Sequence, residues 1–165
     1  MYAAGNLSFR PMKPSDWPEV RSIFIEGMNT GMASLEENPP EWDFWNETHH
    51  QMCRIILETG TEMAGWAALS PTSRRKVYAG VAEVSVYISE KHRGKKLGSH
   101  LLDELIRQAS ENGFYMLQAV IFAKNEISIQ MHKKAGFRIV GVREKIAKYK
   151  NEWQDMVLME RRASF

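Results

Sequence analysis

Residues 84–99 constrain the chain more than any other stretch. An alternating segment, Val84-Ser85-Val86-Tyr87-Ile88, runs into a basic turn, His92-Arg93-Gly94-Lys95-Lys96. Residues 97–112 follow, where Leu101, Leu102, Leu105, Ile106 and Ala109 recur at helical spacing and Gly113 ends the run. Strand, glycine turn and helix in immediate succession form one unit of an α/β layer. They also form a place for an anion, because the first amides of a helix have no partner within it and the helix dipole adds positive potential. Gly94 and Gly98 carry no Cβ and let backbone approach a bound group, while Arg93, Lys95 and Lys96 add charge. A pyrophosphate fits such a turn. The same residues also describe a surface turn with solvated lysines, and the turn alone leaves both readings open. The nucleotide fingerprints G-x-x-x-x-G-K-S/T and G-x-G-x-x-G are absent.

The other elements are read around this unit. Residues 7–12 alternate as a first strand. Residues 14–19 start a helix, with Ser15 or Asp16 as cap and Pro18 in the first turn, and Val20, Ile23, Phe24 and Gly27 continue it. Residues 29–40 form a loop and 41–51 a short helix with Trp42 and Trp45 on one side. Residues 53–57 and 63–69 pair as antiparallel strands about a turn near Gly60. Residues 70–76 are a basic loop and 77–89 a long strand, with Ala82, Val84, Val86 and Ile88 on one face and Glu83, Ser85 and Tyr87 on the other. Residues 114–122 are nearly all apolar, as in a central strand covered on both faces. A helix over 125–135 is capped by Asn125 and closed by Gly136, and residues 137–147 and 152–160 end the chain as a hairpin. The order β-α-α-β-β-β-α-β-α-β-β gives an α/β architecture with a mixed sheet.

With 165 residues and no repeat or linker, one domain is expected over 1–165, its core about 7–160. A net charge of +2 is too small to argue for nucleic acid, and no apolar run approaches the ~20 residues of a membrane helix. Cys53 is the single cysteine, and the first six residues lack a basic region followed by an apolar stretch, so a cytoplasmic protein without disulfides is expected. His49, His50 and Cys53 match no zinc framework, and no metal is expected. Trp42, Phe44 and Trp45 would make a large apolar patch if exposed.

Two motifs carry a resemblance. Arg93 and Gly98 fill the ends of R/Q-x-x-G-x-G/A, the acetyl-CoA pyrophosphate loop of the GNAT superfamily of N-acetyltransferases, with Lys96 in place of the middle glycine. Asn125, Ser128, His132, Gly136 and Phe137 fill the family's N-x-x-S/A-x-x-x-Y/H-x-x-x-G-F, about 30 residues downstream. Residues 30–42, including Glu36, Pro39 and Trp42, residues 71–83, and Trp153 with Asp155 resemble the phosphinothricin and methionine-sulfoximine acetyltransferase branch. The resemblance spans residues 7–160. It implies the GNAT fold, a mostly antiparallel twisted sheet flanked by about four helices and splayed at the acetyl-CoA site, and a homodimer.

The resemblance also implies roles. An alkylammonium, with a pKa near ~10, must lose a proton before it attacks a thioester. Glu83 takes the position of the base, acting directly or through a water; the residues by themselves equally describe a strand carboxylate paired with a nearby Arg or Lys. Backbone amides of Val86, Tyr87 and Ile88 stabilise the oxyanion and hold the pantetheine arm. Arg93, Gly94, Lys95, Lys96, Leu97, Gly98 and Ser99 cradle the pyrophosphate, with Asn125, Ser128 and Lys134 as further acetyl-CoA contacts. His132, one turn after Ser128, either returns a proton to the leaving thiolate or is structural. Arg74 or Arg75 holds an α-carboxylate and Tyr78 lines the acceptor pocket; a solvated charge cluster is the other reading of that loop. The expected activity is acetyl transfer to a small amino-acid-like amine of the phosphinothricin or methionine sulfoximine type. A peptide or protein acceptor, or a non-catalytic acyl-CoA sensor, remains open.

Overall fold

The computed structural model describes residues 7–163, so the reading of the first six residues lies outside the described residues. Among the described residues the strands are β1 (Leu7–Pro11), β2 (Ile55–Thr59), β3 (Glu62–Pro71), β4 (Val81–Ile88), β5 (Met116–Phe122), β6 (Arg138–Tyr149) and β7 (Glu152–Arg162). The α-helices are α1 (Trp17–Asn29), α2 (Trp42–Thr48), α3 (Leu97–Glu111) and α4 (Glu126–Lys134). The element order is the expected one. The strands form one sheet in the order β1-β2-β3-β4-β5-β7-β6, antiparallel throughout except for the β4–β5 pair.

Strand alternation divides the core between the two faces of this sheet. On one, Ala82 joins Ile55, Leu57, Ala67, Leu69 and Leu117 under the Leu101–Leu102–Leu105–Ala109 stripe of α3, with Ile129 of α4 and the flanking Val84, Val86 and Ile88. On the other, Ile56, Trp66 and Ala68 pack under Val20, Ile23 and Phe24 of α1, with Tyr87 against them. α1 and α2 therefore cover the side of the sheet that carries Glu83, Ser85 and Tyr87.

Four local details differ from the sequence reading. The long strand expected over 77–89 begins only at Val81, after a 3-10 turn at Lys76–Tyr78. The Gly80 carbonyl accepts the amides of Tyr115 and Met116, and the Tyr115 ring fills the place a Cβ would need. Cys53 does not start β2; it has φ +60°, in a corner that Arg54 ties down by donating to the carbonyls of Asn46, His49 and His50. Asp16 does not cap α1 through its side chain, because that carboxylate accepts from the Lys13 amide (2.7 Å) and from Arg10 (2.7 and 3.0 Å). The aromatic patch is also not formed. Trp45 is 2% exposed, packed between Trp17, Trp66 and the Arg54 guanidinium, and Trp42 leans on Trp17, which leaves Phe44 of the three exposed.

Candidate active site

β4 and β5 pair in parallel only from Val81 to Glu83, against Met116 to Gln118. Beyond the Glu83–Gln118 rung the strands part: β4 stays on β3 as far as Ile88, and β5 stays on β7 as far as Phe122. The edge of β4 over residues 84–88 is left facing a cleft, and an unpaired edge offers its N–H and C=O groups to whatever enters. A cavity of about 780 Å³ occupies the cleft, lined among others by Glu83, Ser85, Val86, Arg93, Ser128 and His132.

Glu83 stands at the apex, half-buried. Its Oε2 accepts a 2.8 Å hydrogen bond from Gln118 Nε2. Among the described residues no Arg or Lys forms an ion pair with it. The structure thus gives it a neutral partner in place of the cation that an ordinary strand carboxylate would take.

At the far end of β4 the basic turn is pinned before it opens. Glu26 of α1 accepts the Glu90 amide (2.6 Å), and the buried His92 bridges Ser89 Oγ (2.8 Å) and Thr59 Oγ1 (3.0 Å). Gly94 has φ +76° and Lys96 φ +61°, both in the left-handed region. Lysine there costs about 1 kcal/mol relative to glycine. The amides of Gly94, Lys96, Leu97 and Gly98 make no hydrogen bond among the described residues, whereas that of Ser99 bonds back to Lys96 O (3.1 Å). Arg93 lies along the strand end, its Nε on Ile88 O (3.2 Å), and Lys95 Nζ bonds to Lys91 O (3.0 Å). Gly98 serves packing as much as ligand approach: a Cβ there would meet Met131 Sδ of α4 at 3.0 Å. Free amides, a helix N-terminus and basic side chains fit a pyrophosphate.

α4 forms the opposite wall. Asn125 Oδ1 caps it by accepting the Ser128 amide (3.2 Å), and Asn125 Nδ2 donates to Met32 O (3.1 Å). His132 is 5% exposed; its Nδ1 lies 2.8 Å from Ser128 O, an acceptor only, so Nδ1 carries the proton. Burial holds the imidazole below its usual pKa and therefore neutral. Its Nε2 is then a lone pair, which accepts a proton before it can return one. Lys134 is exposed and lies outside the cavity lining.

The loop 30–41 closes one side of the cavity. Besides the Asn125–Met32 bond, Tyr87 OH donates to Ala33 O (3.1 Å), and Leu35, Glu36 and Pro40 line the cavity with Phe24, Trp45 and Trp66. Burial keeps the Tyr87 phenol protonated, as that bond requires.

Arg74, Arg75 and Tyr78 are not brought into this cavity. Tyr78 borders a second one, about 460 Å³, with Thr72, Tyr115, Gln118 and Glu160; neither arginine lines it, although the Arg75 guanidinium stands 6.0 Å from the Tyr78 ring. Sequence reasoning missed Gln118 and the loop contacts. Gln118 had a signal, as one polar residue inside the apolar run 114–122. The loop contacts had none, because they are made by backbone carbonyls.

Residues 17–137 match the model of the acetyltransferase (GNAT) family. The L-methionine sulfoximine/L-methionine sulfone acetyltransferase of Pseudomonas aeruginosa is 28% identical over 161 residues, spanning 94% of this chain and 94% of its own. Phosphinothricin N-acetyltransferase of Streptomyces viridochromogenes is 26% identical over 159 residues, 94% and 87% of the two chains. The crystal structure of a GNAT superfamily phosphinothricin acetyltransferase from Sinorhizobium meliloti, in complex with AcCoA, superposes with a TM-score of 0.83 at 26% identity, covering 95% of this chain and 88% of that one.

Proposed function

The chain belongs to the GNAT family of acetyltransferases, and from that premise we propose that it transfers acetyl from acetyl-CoA to the primary amine of a small amino-acid-like molecule of the methionine sulfoximine or phosphinothricin type. The observation that carries this reading is the parting of β4 and β5, with Glu83 at its apex and, at its far end, the amides of Gly94, Lys96, Leu97 and Gly98, which have no partner among the described residues. The thioester supplies the electrophilic carbonyl. Glu83 takes a proton from the ammonium, directly or through a water, so that the nitrogen lone pair forms the C–N bond. The carbonyl π pair moves to oxygen and returns as the C–S bond breaks, the C–S electron pair leaves with the sulfur, and the second nitrogen proton passes to the thiolate to give free CoA. The open edge at Val86, Tyr87 and Ile88 supplies donors for the oxyanion and the pantetheine amides. Arg93, the 94–98 turn and Ser99 hold the pyrophosphate, Ser128 and His132 Nε2 face the thiol, and Asn125 steadies the loop over it. Lys134 is supported by resemblance alone.

Tyr78 and Arg75 remain candidate acceptor contacts. The cavity that Tyr78 borders also touches Gln118, the partner of Glu83, which puts that loop one side chain from the apex. Arg74 rests on the basic character of its loop alone, since it lines neither cavity. We also propose a cytoplasmic homodimer. The buried free thiol of Cys53 agrees with the compartment. For the dimer, the exposed Val140, Val142, Ile146 and Trp153 of β6 and β7 replace the Trp42–Trp45 patch as apolar surface. A single-chain mass by sedimentation at micromolar concentration overturns the dimer.

The test of the activity is thiol release from acetyl-CoA with methionine sulfoximine, methionine sulfone, phosphinothricin, free amino acids, polyamines and short peptides. Turnover of an amino-acid analogue is expected. Glu83→Gln should lower kcat by about 10²- to 10⁴-fold and leave acetyl-CoA affinity unchanged. Peptides outpacing every small amine would move the assignment to a protein acceptor, and acetyl-CoA binding without any turnover would move it to a sensor.

A further inference from the structure

β5 reads Met116-Leu117-Gln118-Ala119-Val120-Ile121-Phe122, a central strand with one polar side chain. That side chain sits at the last rung before the strands part, directly across from Glu83. Its Nε2 is bonded to Glu83 Oε2 at 2.8 Å, and Glu83 Oε1 has no partner among the described residues. On its other side Gln118 faces Glu160 of β7, whose carboxylate is taken by Arg138 (2.9 Å), so Glu160 does not draw the amide away. A carboxylate without such a donor rotates about its side-chain torsions. One held by a lysine or arginine is oriented too, but the neighbouring cation makes it a weaker base. A neutral amide orients it without that loss.

We propose that Gln118 is the positioning residue of the base: it fixes Glu83 Oε2 and thereby aims Oε1 at the acceptor nitrogen. The inference rests on Glu83 being the base. It is tested by steady-state kinetics with acetyl-CoA and methionine sulfone on Gln118→Met, which keeps size and suits an apolar strand, and on Gln118→Glu, which keeps shape but cannot donate when ionised. Each is also combined with Glu83→Gln. Either single variant should lower kcat by about 10- to 100-fold, with acetyl-CoA affinity by calorimetry unchanged within about twofold. In the Glu83→Gln background the second change should have no further effect, because a residue that acts through another loses its role with it. Multiplying losses in the double variants overturn the proposal, since they mean Gln118 acts elsewhere. Full kcat in Gln118→Met beside an inactive Glu83→Gln overturns this inference alone. Full kcat in Glu83→Gln overturns the base reading and this one with it.

Discussion

The two helices that wall the cleft start in opposite ways. α4 is closed by its own chain: Asn125 accepts the Ser128 amide, Glu126 sits in the first turn, and the other end of the Asn125 amide fastens Met32 of the covering loop. α3 is left open: Lys96 stands at its cap with φ +61° and no side-chain bond, no acidic residue follows in the first turn, and the amides of Leu97 and Gly98 have no partner among the described residues. A capping side chain and a ligand anion compete for the same amides. The difference matches the proposed division of tasks: the α3 terminus leaves its amides open to an external charge, with a lysine in the left-handed region, and the α4 terminus spends its first amides on its own chain.

The comparison breaks if α3 is made to begin like α4. Lys96→Asp places a residue that tolerates positive φ, accepts from the first amides and carries negative charge where a pyrophosphate is to bind. Acetyl-CoA affinity should fall on the order of 10- to 100-fold, and the loss should shrink at high salt. Unliganded stability should hold or rise. Titration calorimetry at two ionic strengths, with thermal melts of the free protein, measures both. Unchanged affinity would mean that the turn is the solvated surface turn its composition equally allows.

How much of this was legible varies with what each feature depends on. The α3 unit was, because helical periodicity and a glycine turn are local properties of residues 94–109, and the αL position at Lys96 follows from where a glycine would be expected. The parting of β4 and β5 was legible only through the family resemblance, because nothing within residues 84–88 records where a strand about 30 residues away stops pairing. Gln118 was passed over since an apolar run says that a strand is central and not what its one polar residue touches. Arg74 and Arg75 show the converse: a charge cluster marks a surface without saying which cavity it borders. Trp42 and Trp45 were recognised as sharing a helix side, but periodicity cannot distinguish a side turned to solvent from one turned onto Trp17 and Trp66.

A smaller effect sharpens the comparison by pH. His132 lies inside the α4 wall, its Nδ1–H on Ser128 O and its ring edge-on to Phe137 at 5.1 Å. The histidine on α3, His100, is exposed. Burial depresses the folded-state pKa of His132 below the usual 6.5, the backbone bond opposing it only in part. Between those two pKa values the unfolded chain binds more protons than the folded one, so acid favours unfolding. The contribution is fully present above about pH 6.5 and is lost as pH falls toward the folded value. His49, depressed to about 4 by burial, adds to the global curve over a similar range, so the His132 share has to be isolated by substitution. In thermal melts from pH 7.5 to 4.5, His132→Gln should lose less stability than wild type while starting lower. Hydrogen exchange, corrected for intrinsic rate, should show α4 amides losing protection ahead of α3 amides as pH drops. Parallel melting curves, or equal loss in both helices, would mean that the α4 wall is no more acid-sensitive than the open terminus it faces.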